Sequence, residues 1–270
     1  MNVVSNNSGD ILTDNNGGFV EAQLDILANS DSDFETSLRF ISENRRRIMI
    51  GLNGMNVSLK KNGLYTLMGR LWPIHIKNGS DGLIEWKGGS SLTASGDNTW
   101  NYNGISGDGS FYYDTAWNPN TRVTDINNWA FGIYSQTDDD TGVDFGCTDL
   151  TNEHSISVKD SSNVTVKNGT SQVVYNSIDN GLGHFASVST GGTLKAFWNG
   201  VEVGTSTAVG GSLTNQNMYV GALNNNGTAA NHSAKRYSTV WIYNGALSDE
   251  QVLQIDQVVR SINEIYNRRV

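Results

Sequence analysis

HFASVS at 184–189, LKAFWNG at 194–200, VEVGTST at 201–207, NMYVGAL at 217–223 and RYSTVWIYNG at 236–245 share one grammar. Each alternates apolar and polar residues, or concentrates β-branched and aromatic ones, for four to eight positions before Gly, Asn or Ser interrupts it. That is the pattern of an antiparallel sheet. The most sharply defined unit is Phe197-Trp198-Asn199-Gly200-Val201-Glu202-Val203, two strands joined by a two-residue turn, because Asn and Gly tolerate the positive φ values of a type I′ hairpin. The alternation puts Val201 and Val203 on one face.

The same grammar extends upstream. LIEW at 83–86, TWNY at 99–102, GSFYYDT at 109–115 and NWAFGIYS at 128–135 read as strands, and so do Ile156–Val158, Asn163–Val166 and Gln172–Tyr175. No repeat at a fixed period is evident, which argues against a propeller or solenoid. Two prolines and 30 glycines favour tight turns, and 270 residues with 37% hydrophobic content suffice for one large sandwich burying roughly 70% of its unfolded surface.

The order Gly-His-Phe-Ala-Ser-Val, a strand, Trp-Asn-Gly-Val-Glu-Val, Tyr-Val-Gly-Ala-Leu and then Tyr-Ser-Thr-Val-Trp-Ile-Tyr-Asn-Gly-Ala-Leu-Ser resembles the second half of a concanavalin A-like, laminin-G-like jelly roll. Gly107 to Thr115, Phe131 to Ser135 and Ser58 to Tyr65 resemble versions of that fold found in bacteriophage structural proteins. The resemblance covers roughly residues 56 to 255. It implies an all-β, two-sheet antiparallel jelly-roll sandwich over residues 56–247, with an N-terminal arm and helix over 1–55 and a C-terminal amphipathic helix over 248–270.

Both flanks carry their own signals. Phe34, Leu38 and Ile41 are four and three apart, which predicts a helix from Ser32 to about Ile50, and a second short helix over Asn56 to Leu67 is interrupted at Asn62-Gly63. Leu71-Trp72-Pro73-Ile74 opens the sandwich, with Pro73 suited to an edge. At the C-terminus Ser248 and Gln251 form a capping box, and Val252, Ile255, Val259, Ile262 and Tyr266 make one apolar stripe, expected to pack across the sandwich.

A net charge of −9 and a pI near 4.8 argue against a nucleic-acid partner, since neutralising phosphates requires a basic surface. Cys147 alone cannot form an intrachain disulfide, which suits manufacture in a reducing cytoplasm. The polar, Asn-rich opening does not read as a signal peptide, and no apolar run is long enough for membrane insertion. Together with the resemblance, these features imply a virion location.

Glycoside hydrolysis needs a pair of carboxylates flanking the bond. The hydrolytic pattern of concanavalin A-like glucanases, Glu-x-Asp-x-x-Glu, is absent; Asp81 and Glu85 have strand spacing, but Gly82 puts Asp81 in a turn. His75, His154, His184 and His232 are scattered, no Gly-x-Ser-x-Gly elbow exists, and Cys147 reads as a small buried group. The acidic loop at 138–144 is the metal candidate, with Asp138, Asp140 and Asp144 as calcium ligands, and the resemblance implies calcium at a loop rim. Trp100, Tyr102, Trp117, Asn118 and Asn120 lie near strand ends, where aromatic faces and amides suit sugars, while Trp198 and Trp241 read as packing.

The expectation is therefore a non-enzymatic structural or adhesive bacteriophage protein that attaches to other virion proteins through its arm. It holds host-surface glycans by its sandwich loops and, as the resemblance implies, assembles as a homotrimer. Two alternatives stay open: a polysaccharide-degrading enzyme on the same fold, and an architectural decoration protein without ligand.

Overall fold

The computed structural model describes residues 57–74, 91–95, 98–101, 104–107, 109–139, 142–160, 162–176 and 178–267. The expected arm, the helix over 32–50 and the strand at 83–86 lie outside these. Among the described residues two sheets stack face to face.

The first sheet contains β1 (Met68–Pro73), β3 (Asn98–Asn101), β4 (Gly104–Gly107), β6 (Trp129–Ser135), β11 (Gly183–Thr190), β12 (Thr193–Trp198), β13 (Val201–Ser206) and β17 (Arg236–Tyr243). Its order is β13-β12-β11-β6-β17-β4-β3, with β1 also paired to β17. Pro73, which has no amide proton, falls at the end of β1, whose one partner strand among the described residues is β17.

The second sheet contains β2 (Thr93–Ser95), β5 (Tyr112–Asp114), β7 (Phe145–Thr148), β8 (Glu153–Asp160), β9 (Asn163–Gly169), β10 (Ser171–Asn176), β14 (Tyr219–Val220), β15 (Leu223–Asn225) and β16 (Thr228–Ala230). It runs β10-β9-β8-β7-β14-β5-β2, and all its pairs are antiparallel except β15 against β7. The expected sandwich is the observed one.

The core between the sheets follows the alternation. Phe131, Ile133, Phe185, Val240 and Ile242 meet Tyr113, Phe145, Ile156, Val164 and Val166 from the opposite sheet in one buried cluster. The Asn199-Gly200 turn has φ of 52° and 77°, the signs that type I′ geometry requires. Val201 and Val203 share the inner face as expected: Val203 packs against the core and Val201 stands opposite Trp198, which packs there too, although its place beside the turn leaves Val201 62% exposed.

The first sheet is buried on its outer side as well. Trp241, Tyr243, Ala130, Ala186, Val188 and Phe197 face outward there, and helix α3 (Asp249–Asn267) lays Val252, Ile255 and Val259 over them. A helical turn at 57–61 and helix α1 (Leu64–Leu67), separated at the positive-φ Gly63, add Leu59 and Leu64. The capping box forms as predicted: Ser248 Oγ accepts the Gln251 amide at 3.2 Å and Gln251 Oε1 accepts the Ser248 amide at 2.9 Å.

One polar chain pins the helix to the sheet. Trp241 Nε1 donates to His184 Nε2 at 2.7 Å, so the ring's proton sits on Nδ1, which faces Asp256 Oδ1 at 3.2 Å. Gly132 makes room for the indole, since a Cβ there would stand 2.4 Å from its ring carbons.

Because Ile255 is 3% exposed within this layer, Ile255→Ala should cost about 2–5 kcal/mol, seen as a lower urea midpoint with an unchanged slope. Leu253→Ala, at a 37%-exposed position of the same helix, should change stability by about 0.5 kcal/mol or less. Equal effects would contradict the assigned helix face.

Candidate ligand-binding face

Strand β5 separates its side chains cleanly. Phe111 and Tyr113 enter the core at 0% exposure, so Tyr112 and Asp114 point to the outer face of the second sheet. Opposite Asp114 stands Tyr219 of β14, and the rings of Tyr112 and Tyr219 stack at 4.4 Å with an 18° interplanar angle.

Loops complete the cluster. Asn217 Nδ2 donates to Asp114 Oδ2 at 3.2 Å, and the Ala116 amide donates to Asp114 Oδ1 at 2.7 Å, a local turn that holds Ala116 at φ 52°. His232 lies 6.2 Å from the Tyr112 ring and donates Nδ1–H to the Phe111 carbonyl at 3.1 Å, leaving Nε2 as an acceptor. Burial, then the charge of Asp114, then Tyr112 push the Tyr219 phenol up to about 12, so it stays an uncharged hydroxyl at neutral pH.

The expected sugar residues divide. Asn118 and Asn120 are tied to the 214–215 loop: helix α2 (Pro119–Arg122) follows Asn118, whose Nδ2 donates to Asn215 Oδ1 at 3.0 Å, while the Asn120 amide donates to the Thr214 carbonyl at 3.2 Å. Asn118 Oδ1 is buried without a protein donor. Trp117 corrects the expectation. It is 4% exposed, capped by Arg70 at 5.3 Å and packed where a Cβ on Gly69 would lie 2.6 Å from its ring, so it serves the core. Trp100 sits on edge strand β3 of the other sheet, and Tyr102 lies outside the described residues.

The calcium reading is also corrected. Asp144 is fully buried and accepts from Ser233, Tyr237 and the Val158 amide. Asp138 is drawn elsewhere, 2.8 Å from Lys159 Nζ and bonded to the Gly181 amide; Lys159 and then Gly181 hold its carboxyl below the usual range. Asp140 lies outside the described residues. Among those described, no three His, Cys, Asp or Glu side chains converge. Asp81, Glu85 and His75 lie outside as well.

Sequence reasoning missed Tyr112, Asp114, Asn217, Tyr219 and His232. The two-residue period of GSFYYDT was the available signal for the first two.

Trp198 and Trp241 pack as expected. The Trp198 ring is half-buried and stacks on Phe185 at 5.9 Å, and Trp241 is 1% exposed. Burial pushes the Cys147 thiol up to about 12, in keeping with a structural group.

No protein-family model and no curated protein matches the chain. Solved structures do. Domain 4 of AbnA, an extracellular GH43 arabinanase of Geobacillus stearothermophilus solved with arabinotriose, superposes at a TM-score of 0.51 with 19% identity, over 70% of this chain and 98% of that domain. The Trypanosoma rangeli sialidase in complex with sialic acid matches at 0.51 with 12% identity over 73% of this chain, which spans 34% of that enzyme. These likenesses establish the β-sandwich fold.

Of the histidines, His154 carries a pH prediction. Desolvation, outweighing its bond to Asn168, lowers its pKa to about 4; Nδ1–H donates to Asn168 Oδ1 at 2.7 Å and Nε2 accepts the Thr214 amide at 3.2 Å. The folded state thus prefers the neutral ring. Its contribution is complete above pH about 6.5 and is lost as pH falls toward 4, up to about 3 kcal/mol. Urea titrations across this window should show His154→Gln less pH-dependent than the parent; identical slopes would contradict the assignment.

Proposed function

We propose that this chain is a non-enzymatic carbohydrate-binding sandwich whose ligand lies on the outer face at β5 and β14. The observation that carries the reading is the contiguous set Tyr112, Tyr219, Asp114 and Asn217. It joins an aromatic stack to carboxylate and amide groups. Sugars present an apolar ring face edged by hydroxyls, and that combination suits both.

Asp114 is the one carboxylate of this set, and it is engaged by Asn217 and the Ala116 amide, whereas glycoside cleavage needs two placed on either side of the bond. That the solved arabinanase domain holds arabinotriose and the sialidase holds sialic acid supports a glycan as ligand and suggests the first probes. On the sequence resemblance we extend the proposal to a bacteriophage particle, with residues 1–55 as the attachment segment and the sandwich displayed outward as a homotrimer.

A glycan array including arabino-oligosaccharides and sialosides should retain the full chain. Calorimetry with the best glycan should show affinity roughly tenfold weaker for Tyr112→Ala, with an unchanged circular dichroism spectrum. Silence across the array, or a Tyr112→Ala variant that binds as the parent does, would overturn the reading. Release of new reducing ends would overturn its non-enzymatic part.

A further inference from the structure

Asp144 and Lys235 are each 0% exposed, with Lys235 Nζ 3.4 Å from Asp144 Oδ1. Asp144 immediately precedes β7 of the second sheet and Lys235 immediately precedes β17 of the first, so this contact bridges the two layers. We propose that Lys235 and Asp144 condense into an intramolecular isopeptide bond, a covalent tie between the sheets.

The carboxyl is held as a reacting group would be. Its backbone is fixed by the Asp144 amide to the Ile156 carbonyl at 2.9 Å and the Gly221 amide to the Asp144 carbonyl at 2.8 Å. Oδ1 accepts Ser233 Oγ at 2.9 Å and Tyr237 Oη at 2.5 Å, while Oδ2 accepts the Val158 amide at 2.5 Å. Such donors polarise the carbonyl and draw charge off carbon.

The condensation requires a neutral amine and a neutral acid. Two opposite charges in a dry interior lose their hydration, and a proton passed from ammonium to carboxylate leaves a neutral amine and a neutral acid. Desolvation indeed raises the pKa of Asp144, against the opposing pull of Lys235 and its hydrogen-bond donors.

The amine lone pair attacks Cγ and an N–C bond forms. Oδ2, on the Val158 amide, becomes the amide oxygen. The Cγ–Oδ1 bond breaks, and Oδ1 leaves as water with the acid's own proton and one from nitrogen, while the Tyr237 and Ser233 hydroxyls stand beside it as donors. No oxidant or cofactor enters the balance. The product removes a buried ionisable pair and encloses the chain between Asp144 and Lys235, and with a lone Cys147 no intrachain disulfide can play that part.

The intact mass of the purified full chain, measured denatured, tests this. The expected value is the sequence mass less one water, with trypsin failing after Lys235 and yielding one branched peptide that contains both Asp144 and Lys235. Lys235→Met should restore the full mass whether or not it folds, and Tyr237→Phe should reduce the linked fraction at least severalfold. A parent chain of full mass, cleaved normally after Lys235, would overturn the proposal in favour of an ordinary buried ion pair. So would a water loss that maps elsewhere, such as Asp108-Gly109.

Discussion

Strand β17 is apolar on both sides, and the rest of the structure answers to that. Its inward residues Val240 and Ile242 need a facing sheet, and its outward residues Trp241 and Tyr243 need a cover of their own. Two indole- and phenol-sized side chains left in water would forfeit roughly 4 kcal/mol, a large part of a domain's total stability. Helix α3 and the 57–67 segment supply the cover. The Trp241–His184–Asp256 chain then fixes where the helix sits, because each buried polar group along it needs the next.

That arrangement also assigns the faces. The first sheet spends its outer side on the helix layer, so the tyrosines and amides of β5, β14 and their loops gather on the outer side of the second sheet. Strain is stored beside them, at Ala116 and at Asn231 next to His232, both non-glycine residues with positive φ. Backbone held in that region tends to mark positions set by something other than packing.

Much of the fold was legible because its signals are local. Asn199-Gly200 dictates a hairpin by allowed φ alone, and Ser248 with Gln251 dictates a helix start through two reciprocal hydrogen bonds. The irregularity in register between Ala196 and Phe197 carries no sequence mark. The site was less legible for a different reason. Tyr112, Tyr219 and His232 come from three distant segments, and only pairing of β5 with β14 brings the two tyrosines into contact. Trp117 and Asp144 misled in the same way: an aromatic near a strand end and a carboxylate in an acidic loop look exposed in sequence. What buries them is remote or small, the absence of a side chain at Gly69 in one case and the arrival of Lys235 and Tyr237 in the other.

On the function proposed above, a glycan rests on the Tyr112–Tyr219 stack. The most direct test is the change in backbone amide NMR shifts as an array-selected oligosaccharide is added to the full chain. The account predicts saturable shifts concentrated at 112–118, 215–219 and 232. Shifts concentrated on α3 and β17, or on the hairpin at Asn199-Gly200, would contradict it.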